Sequence, residues 1–147
     1  MKFLFAILLL CVGIFSCNST EKRDPLLEEA ALYHNEATEI QAIIEPKIDQ
    51  IDSLKTILVK SPKQDATATV ATLDSLKTAF EEWEENLVEV PGMPHNHNHN
   101  GPAHHHHNDA TLKDLPADQM RDLQRETLSS IKQIQQRLDA VMAQVTQ

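Results

Sequence analysis

The 147-residue chain carries 13 basic and 22 acidic residues, which gives a formal net charge of −9 with histidine neutral. A surface of this sign repels nucleic-acid phosphates and anionic lipid headgroups, which sets nucleic-acid binding aside. The two cysteines, Cys11 and Cys17, lie near the N-terminus, so the rest of the chain has neither an internal disulfide nor a thiolate metal site. Any metal bound there must be held by nitrogen and oxygen ligands.

The N-terminal residues are typical of a secretory signal peptide. A single positive charge, Lys2, precedes an apolar run from Phe3 to Phe15. This run is too short to span a bilayer comfortably, because a transmembrane helix needs ~20 apolar residues. We therefore expect residues 1–16 to be a signal peptide that is removed.

The leader ends in a loose bacterial lipobox, in which a small residue, Ser16, precedes Cys17. Cys11 is the competing cysteine, but Leu10 before it is too bulky for the small-residue position. An ordinary signal peptide that happens to end near a cysteine is the alternative. We expect lipidation at Cys17, with residues 17–24 as a short polar tether between the lipid and the domain.

The first long helix is predicted from about Pro25 to Lys60. Pro25 suits the first helical turn, and Asp24 before it is a candidate N-cap. Pro46 lies inside the pattern and removes one backbone hydrogen bond, so a kink or interruption is expected there. The apolar side recurs every three or four residues and comprises Leu27, Ala30, His34, Ala37, Gln41, Ile44, Ile48, Ile51 and Leu58.

Two further helices are predicted. The second begins after either a Ser61–Gln64 capping box or an Asp65 N-cap, which we favour, and it ends near Glu89. The third runs from about Pro116 to Val145. The apolar side of the second comprises Leu73, Leu76, Phe80, Trp83, Leu87 and Val90, and Glu81, Glu82, Glu84 and Glu85 are expected to form a solvated face. The apolar side of the third comprises Met120, Leu123, Thr127, Ile131, Ile134, Leu138, Val141 and Val145.

An identical pentapeptide, Asp-Ser-Leu-Lys-Thr, occurs at residues 52–56 and 74–78, once on each of the first two helices. Both copies place their leucine on the apolar side, so the two could face each other across a hairpin. Chance similarity between amphipathic helices explains them more simply than a true repeat, and no repeat architecture is inferred.

These patterns predict one all-α domain over residues 25–147. The sequence lacks the alternation of β-branched residues that indicates strands, and it has only three glycines. We expect an antiparallel three-helix bundle, or a long helical hairpin with a third helix laid on it. A disordered His-rich loop at residues 91–115 is expected between the second and third helices.

No enzyme motif is recognisable, because the sequence has no G-x-S-x-G elbow, no Gly-rich phosphate loop and no H-E-x-x-H pair. We therefore predict that the protein is not an enzyme and has no catalytic residues. His34 lies on the apolar side of the first helix, where a hydrogen-bonded packing role is expected rather than a ligand role. Phe80 and Trp83 are expected to be core residues.

Seven of the eight histidines lie in the stretch PGMPHNHNHNGPAHHHHND, which begins at Pro91. In an extended chain, period-two spacing places the first three imidazoles on one side, and a turn at Asn100-Gly101-Pro102 brings the other four back towards them. Neutral imidazole suits Zn, Cu and Ni. The candidate metal ligands are His95, His97, His99, His104, His105, His106 and His107, with Met93 and Asp109 as further candidates.

Such a site is expected to bind metal with moderate affinity. It has no thiolate, and each residue that the metal orders costs ~1–2 kcal/mol of backbone entropy, which indicates a Kd of roughly micromolar order. Binding is expected to weaken below about pH 6 as the imidazoles protonate. Zn or Cu is expected rather than Ni, and none of them is required for folding. The alternative is a low-complexity repeat in an exposed loop, without a selected role.

Three features together resemble a family of small helical lipoproteins from Bacteroidota, often labelled "viral A-type inclusion protein". They are the lipobox at Cys17, the segment Glu45–Lys55 (EPKIDQIDSLK), and Phe80-Glu-Glu-Trp83 before a proline-containing loop. The resemblance covers about Leu27 to Met142 and implies an envelope lipoprotein with a helical bundle, without implying an activity. Members tend to have a histidine shortly before the proline, where this chain has Gln41.

The sequence therefore predicts a lipid-anchored bacterial envelope protein, periplasmic or surface-exposed, that binds or buffers divalent metal through its His-rich loop. Its predicted membrane contact is the N-terminal lipid. The alternative is a structural lipoprotein whose helices pair with an envelope protein or with a second copy, the loop being incidental. A large exposed apolar stripe favours that alternative, whereas a bundle that closes on itself favours metal handling.

Overall fold

The computed structural model describes residues 24–60, 66–92 and 114–145, and helices make up most of these residues. The helices are α1 (Pro25–Asp49), α2 (Ile51–Val59), α3 (Ala66–Glu85) and α4 (Ala117–Val145). The described residues contain no strand. The all-α class predicted from the sequence is confirmed for this part of the chain.

The first helix begins where the sequence predicts it, but its interruption lies at Gln50 and not at Pro46, where it is expected. The Asp24 carboxylate accepts a 2.9 Å hydrogen bond from the Leu26 backbone N–H, and Pro25 occupies the first turn. The helix continues past Pro46 and is interrupted at Gln50, where α2 follows. Pro46 lacks an N–H and its ring crowds the carbonyl of Ala42 one turn earlier, so its direct effect falls before Pro46 and not at Gln50. Gln50 keeps right-handed helical angles (φ −80°, ψ −10°), so the interruption is a local distortion.

The start of α4 at Ala117, directly after Pro116, agrees with the sequence. α3 is described from Ala66, the first residue after a gap, and α4 continues to Val145, the last described residue. Asp65 and the competing box at Ser61–Gln64 lie outside the described residues.

The helices pack as a bundle in which α4 lies against both α1 and α3, while α2 packs on α3. Near its start, α1 contacts α4 through His34 and Gln124. Near its end, α1 contacts α4 through Lys47 and Asp139, so these two helices run parallel. α3 runs in the opposite direction to both. The chain therefore goes up through α1 and α2, down through α3 and up again through α4.

The apolar sides predicted from the spacing form the interior of the bundle. The main core cluster contains Ala37, Ile40, Ile44, Ile48, Ile51, Leu58, Leu73, Leu76, Phe80, Trp83, Leu87, Leu128, Ile131, Ile134, Leu138 and Val141. Four residues expected inside are only partly buried, namely Leu27, Leu123, Thr127 and Val145. Five others are buried although the pattern does not select them, namely Ala31, Ile40, Val88, Gln124 and Leu128.

The predicted end of the second helix near Glu89 is wrong. α3 ends at Glu85, and Leu87 to Val90 continue as irregular but mostly buried chain. The residue before a proline is pushed out of the helical region, so Pro91 favours extended backbone at Val90. Burial of Val88 and Val90 in the bundle then favours the extended path over another helical turn.

The expected solvated face of α3 is confirmed for three of its four glutamates. Glu81, Glu82 and Glu85 are exposed. Glu84 is partly buried instead, because its carboxylate accepts a 2.7 Å hydrogen bond from the Gln41 side-chain amide of α1. Glu84 therefore joins α3 to α1 through the buried side chain of Gln41.

The two identical pentapeptides face each other across the antiparallel α2–α3 pair. Lys77 of the second copy lies 2.5 Å from the Asp52 carboxylate of the first. Lys55 of the first copy forms the reciprocal ion pair with Asp74 of the second. The hydrogen bond and charge of Lys77 lower the pKa of Asp52, and the hydrogen bond from Lys55 to Asp74 raises the pKa of Lys55. The repeated sequence therefore makes a self-complementary contact, whatever its origin.

This ion pair predicts a specific loss of stability in acid. A carboxylate whose pKa is lowered in the folded state stabilises it above the unfolded pKa, and that contribution disappears as pH falls through the folded value. Lys77→Met should therefore destabilise the bundle at neutral pH, and the difference from wild type should shrink below about pH 4. Urea unfolding followed by circular dichroism from neutral pH into acid measures this difference.

The matched control is Lys60→Met, which removes the same charge at an exposed residue just after α2. Because the Asp52 pair is exposed, about 1 M salt should also reduce the effect of Lys77→Met. An effect of Lys77→Met that stays constant across the acid range would contradict an ionic contribution from Asp52.

Candidate functional site

The residues that the sequence selects for lipidation and metal binding lie outside the described part of the chain. They are Cys17, Met93, His95, His97, His99, His104, His105, His106, His107 and Asp109. The structure does describe both ends of the segment that carries the histidines, as far as Gly92 on one side and from Asp114 on the other. The structure therefore defines where the chain enters and leaves the His-rich segment.

Both ends of the His-rich segment are fixed in one small apolar cluster, here called the loop-root cluster. Its buried residues are Ala30, Ala31, Val88, Val90 and Met120, and Leu27, Leu115 and Leu123 pack against it. Val88 and Val90 precede the segment, Leu115 and Met120 follow it, and the alanines belong to the first turns of α1. The small alanine side chains let the irregular 87–90 segment lie close to α1. The points where the chain leaves the bundle for the His-rich segment and returns from it are therefore close together, at the end of the bundle where α1 begins.

A buried polar cluster lies next to the loop-root cluster and is here called the His34 cluster. His34 of α1 is 5% exposed and Gln124 of α4 is fully buried. The Gln124 side-chain oxygen lies 3.2 Å from His34 Nδ1, and its amide nitrogen donates a 2.6 Å hydrogen bond to the Val88 carbonyl. Gln124 thereby joins α1 and α4 to the irregular segment that leads into the His-rich loop.

The second ring nitrogen of His34 faces a carboxylate. His34 Nε2 lies 3.5 Å from Glu89 Oε2, and the Glu89 side chain is 22% exposed. Glu89 follows Val88 directly, so both contacts of this cluster with the 87–90 segment lie within two consecutive residues. The expectation that His34 is a packing residue with hydrogen bonds is confirmed.

Gln124 is the member of this cluster that the sequence reasoning did not identify. A polar residue on the apolar side of a helix reads as an interruption of the pattern, although Gln124 lies one turn after Met120 and one turn before Leu128, both buried. A buried glutamine must have hydrogen-bond partners. That requirement is the signal that could have marked it.

An open groove of about 460 Å³ runs between α3 and α4. Trp83 lines it, but the indole is a core residue, since its Nε1–H donates a 3.0 Å hydrogen bond to the Thr127 carbonyl and its ring stacks on Phe80 at 6.3 Å. The expected core roles of Phe80 and Trp83 are confirmed. Glu82, Glu126 and Arg137 add charged groups to the lining of the groove.

Within residues 24–60, 66–92 and 114–145, no group of three or more His, Cys, Asp or Glu side chains is placed to hold a metal ion. Over the same residues, none of the helices combines the length and the apolar character that crossing a membrane requires. Both findings apply to the helical bundle, and the His-rich segment lies outside the described residues.

Comparison with protein-family models, with curated protein sequences and with solved structures finds no match for this chain. The resemblance to small helical lipoproteins therefore remains an expectation.

The role assigned to Gln124 predicts a specific cost of removing its amide. Gln124→Leu keeps a similar volume but leaves the Val88 carbonyl and His34 Nδ1 without this partner. The free energy of unfolding should fall by about 1–3 kcal/mol, since buried polar groups lose hydrogen bonds and cannot reach water. Denaturant unfolding measures the change, with Gln136→Leu on the exposed side of α4 as the control.

Gln136→Leu should change stability by no more than about 0.5 kcal/mol. Equal stability of Gln124→Leu and wild type would show that the His34 cluster does not stabilise the bundle. Amide exchange at residues 87–90 should increase in Gln124→Leu before it increases in α4, because this segment loses its direct hydrogen bond.

Proposed function

We propose that this protein is a lipid-anchored envelope protein that binds or buffers Zn²⁺ or Cu²⁺ through the His-rich segment between α3 and α4. The observation that supports the proposal most is the loop-root cluster. Because Val90 and Leu115 pack in one cluster, the connection between α3 and α4 has only a short distance to cover. Helix–helix connections in bundles usually need 2–8 residues. The residues between them, including all seven loop histidines, exceed what the fold needs.

The composition of this surplus indicates its chemistry. Imidazole is a borderline ligand that suits Zn²⁺ and Cu²⁺, and seven imidazoles are enough for one tetrahedral site or two incomplete sites. Met93 adds a thioether that favours Cu(I), and Asp109 adds an oxygen ligand. Without thiolates, and with chain entropy opposing a fixed geometry, the affinity is of roughly micromolar order. Buffering or scavenging fits such an affinity better than catalysis does.

The position of the loop roots fits a membrane-anchored protein. α1 starts at Pro25, and Leu27, Ala30 and Ala31 of its first turns contact the loop roots. A lipid on Cys17 would be joined to this end of the bundle by residues 17–24, which span at most ~3.3–3.6 Å per residue. The start of α1, beside the loop roots, would then lie on the membrane side of the domain, within about 30 Å of the lipid. The periplasmic or the outer cell surface is the proposed location.

The second candidate function is the structural one, in which the helices pair with an envelope protein or with a second copy. Among the described residues, four large apolar side chains are strongly exposed, namely those of Leu32, Ile43, Ile57 and Val59. Leu32 and Ile43 share the outer side of α1, away from the core. They are separated by polar residues such as Glu36 and Glu39, and isolated exposed apolar residues are ordinary on protein surfaces. The closed core therefore favours metal handling.

The metal-binding proposal predicts a calorimetric signal that depends on the loop histidines. Residues 18–147 titrated with Zn²⁺, Cu²⁺ and Ni²⁺ at neutral pH should bind with a Kd of roughly micromolar order. Changing all seven loop histidines to Ala should abolish this binding. Below about pH 6 the wild type should also lose it, because protonated imidazole cannot coordinate a metal.

The matched control changes Asn96, Asn98, Asn100 and Asn108 to Ala, which alters the same segment and keeps every imidazole. This control should bind metal as the wild type does. Unchanged binding in the seven-histidine variant would refute the loop as the site. Equal growth of wild-type and loop-deleted cells under metal starvation and metal excess would refute metal handling as the physiological role.

Because the connection between α3 and α4 is longer than the bundle needs, the His-rich segment should be dispensable for folding. Replacing residues 93–113 with four Gly and Ser residues should leave the helical circular dichroism spectrum unchanged and raise the free energy of unfolding by about 1 kcal/mol, since a shorter loop costs less entropy to close. The same variant should bind no metal. A large loss of stability would show that the segment contributes to the bundle, and its length would then no longer indicate a separate function.

A further inference from the structure

The hydrogen-bond pattern around His34 determines which atoms carry protons. The Val88 carbonyl can only accept a hydrogen bond, so the Gln124 atom at 2.6 Å from it must be the amide nitrogen. The contact of the same nitrogen with Met120 Sδ at 3.7 Å agrees with this orientation. The Gln124 oxygen therefore points to His34, and as an acceptor it requires a proton on Nδ1 at 3.2 Å.

The other side of the ring also meets an acceptor. An ionised Glu89 carboxylate has no proton to donate, and its Oε2 lies 3.5 Å from His34 Nε2. A neutral ring with its proton on Nδ1 would direct the Nε2 lone pair towards this carboxylate, which is unfavourable. A second proton between Nε2 and Glu89 removes the conflict and creates a partly buried ion pair, which burial shields from salt.

We propose that His34, Gln124 and Glu89 form a pH-sensitive latch that holds the 87–90 segment against α1 and α4 while both ring nitrogens of His34 are protonated. Loss of one proton leaves two acceptors facing each other and releases Glu89. The latch acts at the residues that lead into the loop-root cluster, so it sets how firmly one root of the His-rich loop is held. This inference does not depend on metal binding by the loop.

The groups around His34 are consistent with Glu89 as its charged partner. Glu89 approaches from the 87–90 segment, and α4 presents the neutral side chains of Gln124 and Met120. Arg121 and Arg125 of α4 act on the neighbouring Tyr33, whose hydrogen bond to Glu29 keeps its own pKa raised. On α3, Glu84 is engaged by Gln41 about two turns further along α1. Glu89 therefore supplies the negative charge that Nε2 faces.

The direction of the pH effect follows from proton counting. An unfolded imidazole loses its proton above ~pH 6.5. The latched state keeps that proton, so it is favoured at lower pH and is lost as pH rises through the titration of His34. Between the pKa of the released imidazole and the higher pKa of the latched one, the protection of the 87–90 amides relative to the interior of α4 should fall by up to about tenfold per pH unit, as the release of one linked proton requires, and it should level off at higher pH.

The experiment uses residues 18–147 with the seven loop histidines changed to Ala, which leaves His34 as the sole histidine. Nitrogen-15 NMR of the ring should show protons on both nitrogens at about pH 6, and amide exchange from about pH 5 to pH 9 should show selective loss of protection at residues 87–90. A ring with an unprotonated Nε2 while the segment is protected would overturn the proposal. So would protection that stays constant while His34 titrates.

Glu89→Gln gives a sharper test, with Glu85→Gln as the control. The introduced side-chain amide can donate to a neutral Nε2, so this variant should keep the 87–90 segment protected without dependence on the His34 proton. Glu85 is exposed on α3, and its substitution changes the net charge equally. The control should behave as the parent does. Matching profiles for the two variants would overturn the assignment of Glu89. Should Glu89→Gln not fold, the ring protonation of the parent decides the question alone.

Discussion

One hydrogen-bonding requirement explains most of the loop end of the bundle. Pro91 disfavours helical backbone at Val90, and α3 ends at Glu85, so the Val88 carbonyl is carried into the interior without a helical partner. A buried carbonyl must be hydrogen-bonded. Gln124 supplies that bond from α4, and its remaining oxygen needs a donor, which is His34. A polar cluster in an otherwise apolar interior is thus a consequence of ending α3 early.

The same requirement links the fold to the proposed function. α1 and α4 run parallel and are far apart in sequence, and their contacts extend from His34 and Gln124 near the helix starts to Lys47 and Asp139 near the end of α1. The Val88 bond and the loop-root cluster fix the chain at the end where both helices start. A long, polar segment can then leave and return without disturbing the core. A fixed base of this kind is what the proposed ligand segment would need, because its two ends would be held whatever conformation the segment adopts.

The sequence predicts the helices well and the loop end poorly, for a physical reason. Helix starts are local features, such as the Asp24 N-cap and the proline before Ala117, and the apolar spacing selects most of the core. The end of α3 is decided by competition between a further helical turn and burial of Val88 and Val90 against α1. The outcome of that competition leaves the Val88 carbonyl without a helical donor, and Gln124 donates to it in the interior. Neither outcome is visible in a single helical pattern, since both depend on contacts between distant segments.

For the proposed metal segment, the sequence reveals more than the structure does. Its histidines are evident from the sequence, because composition alone identifies a ligand-rich stretch, while the structure contributes the location of its two roots. The helical bundle is acidic and its core is closed. A reciprocal pair of Asp–Lys contacts joins α2 to α3 far from the loop roots. A net charge of −9 favours the approach of cations to the whole domain. In the proposed site, histidine ligands would add selectivity to that attraction, since imidazole favours Zn²⁺ and Cu²⁺ over the Mg²⁺ and Ca²⁺ that carboxylates attract.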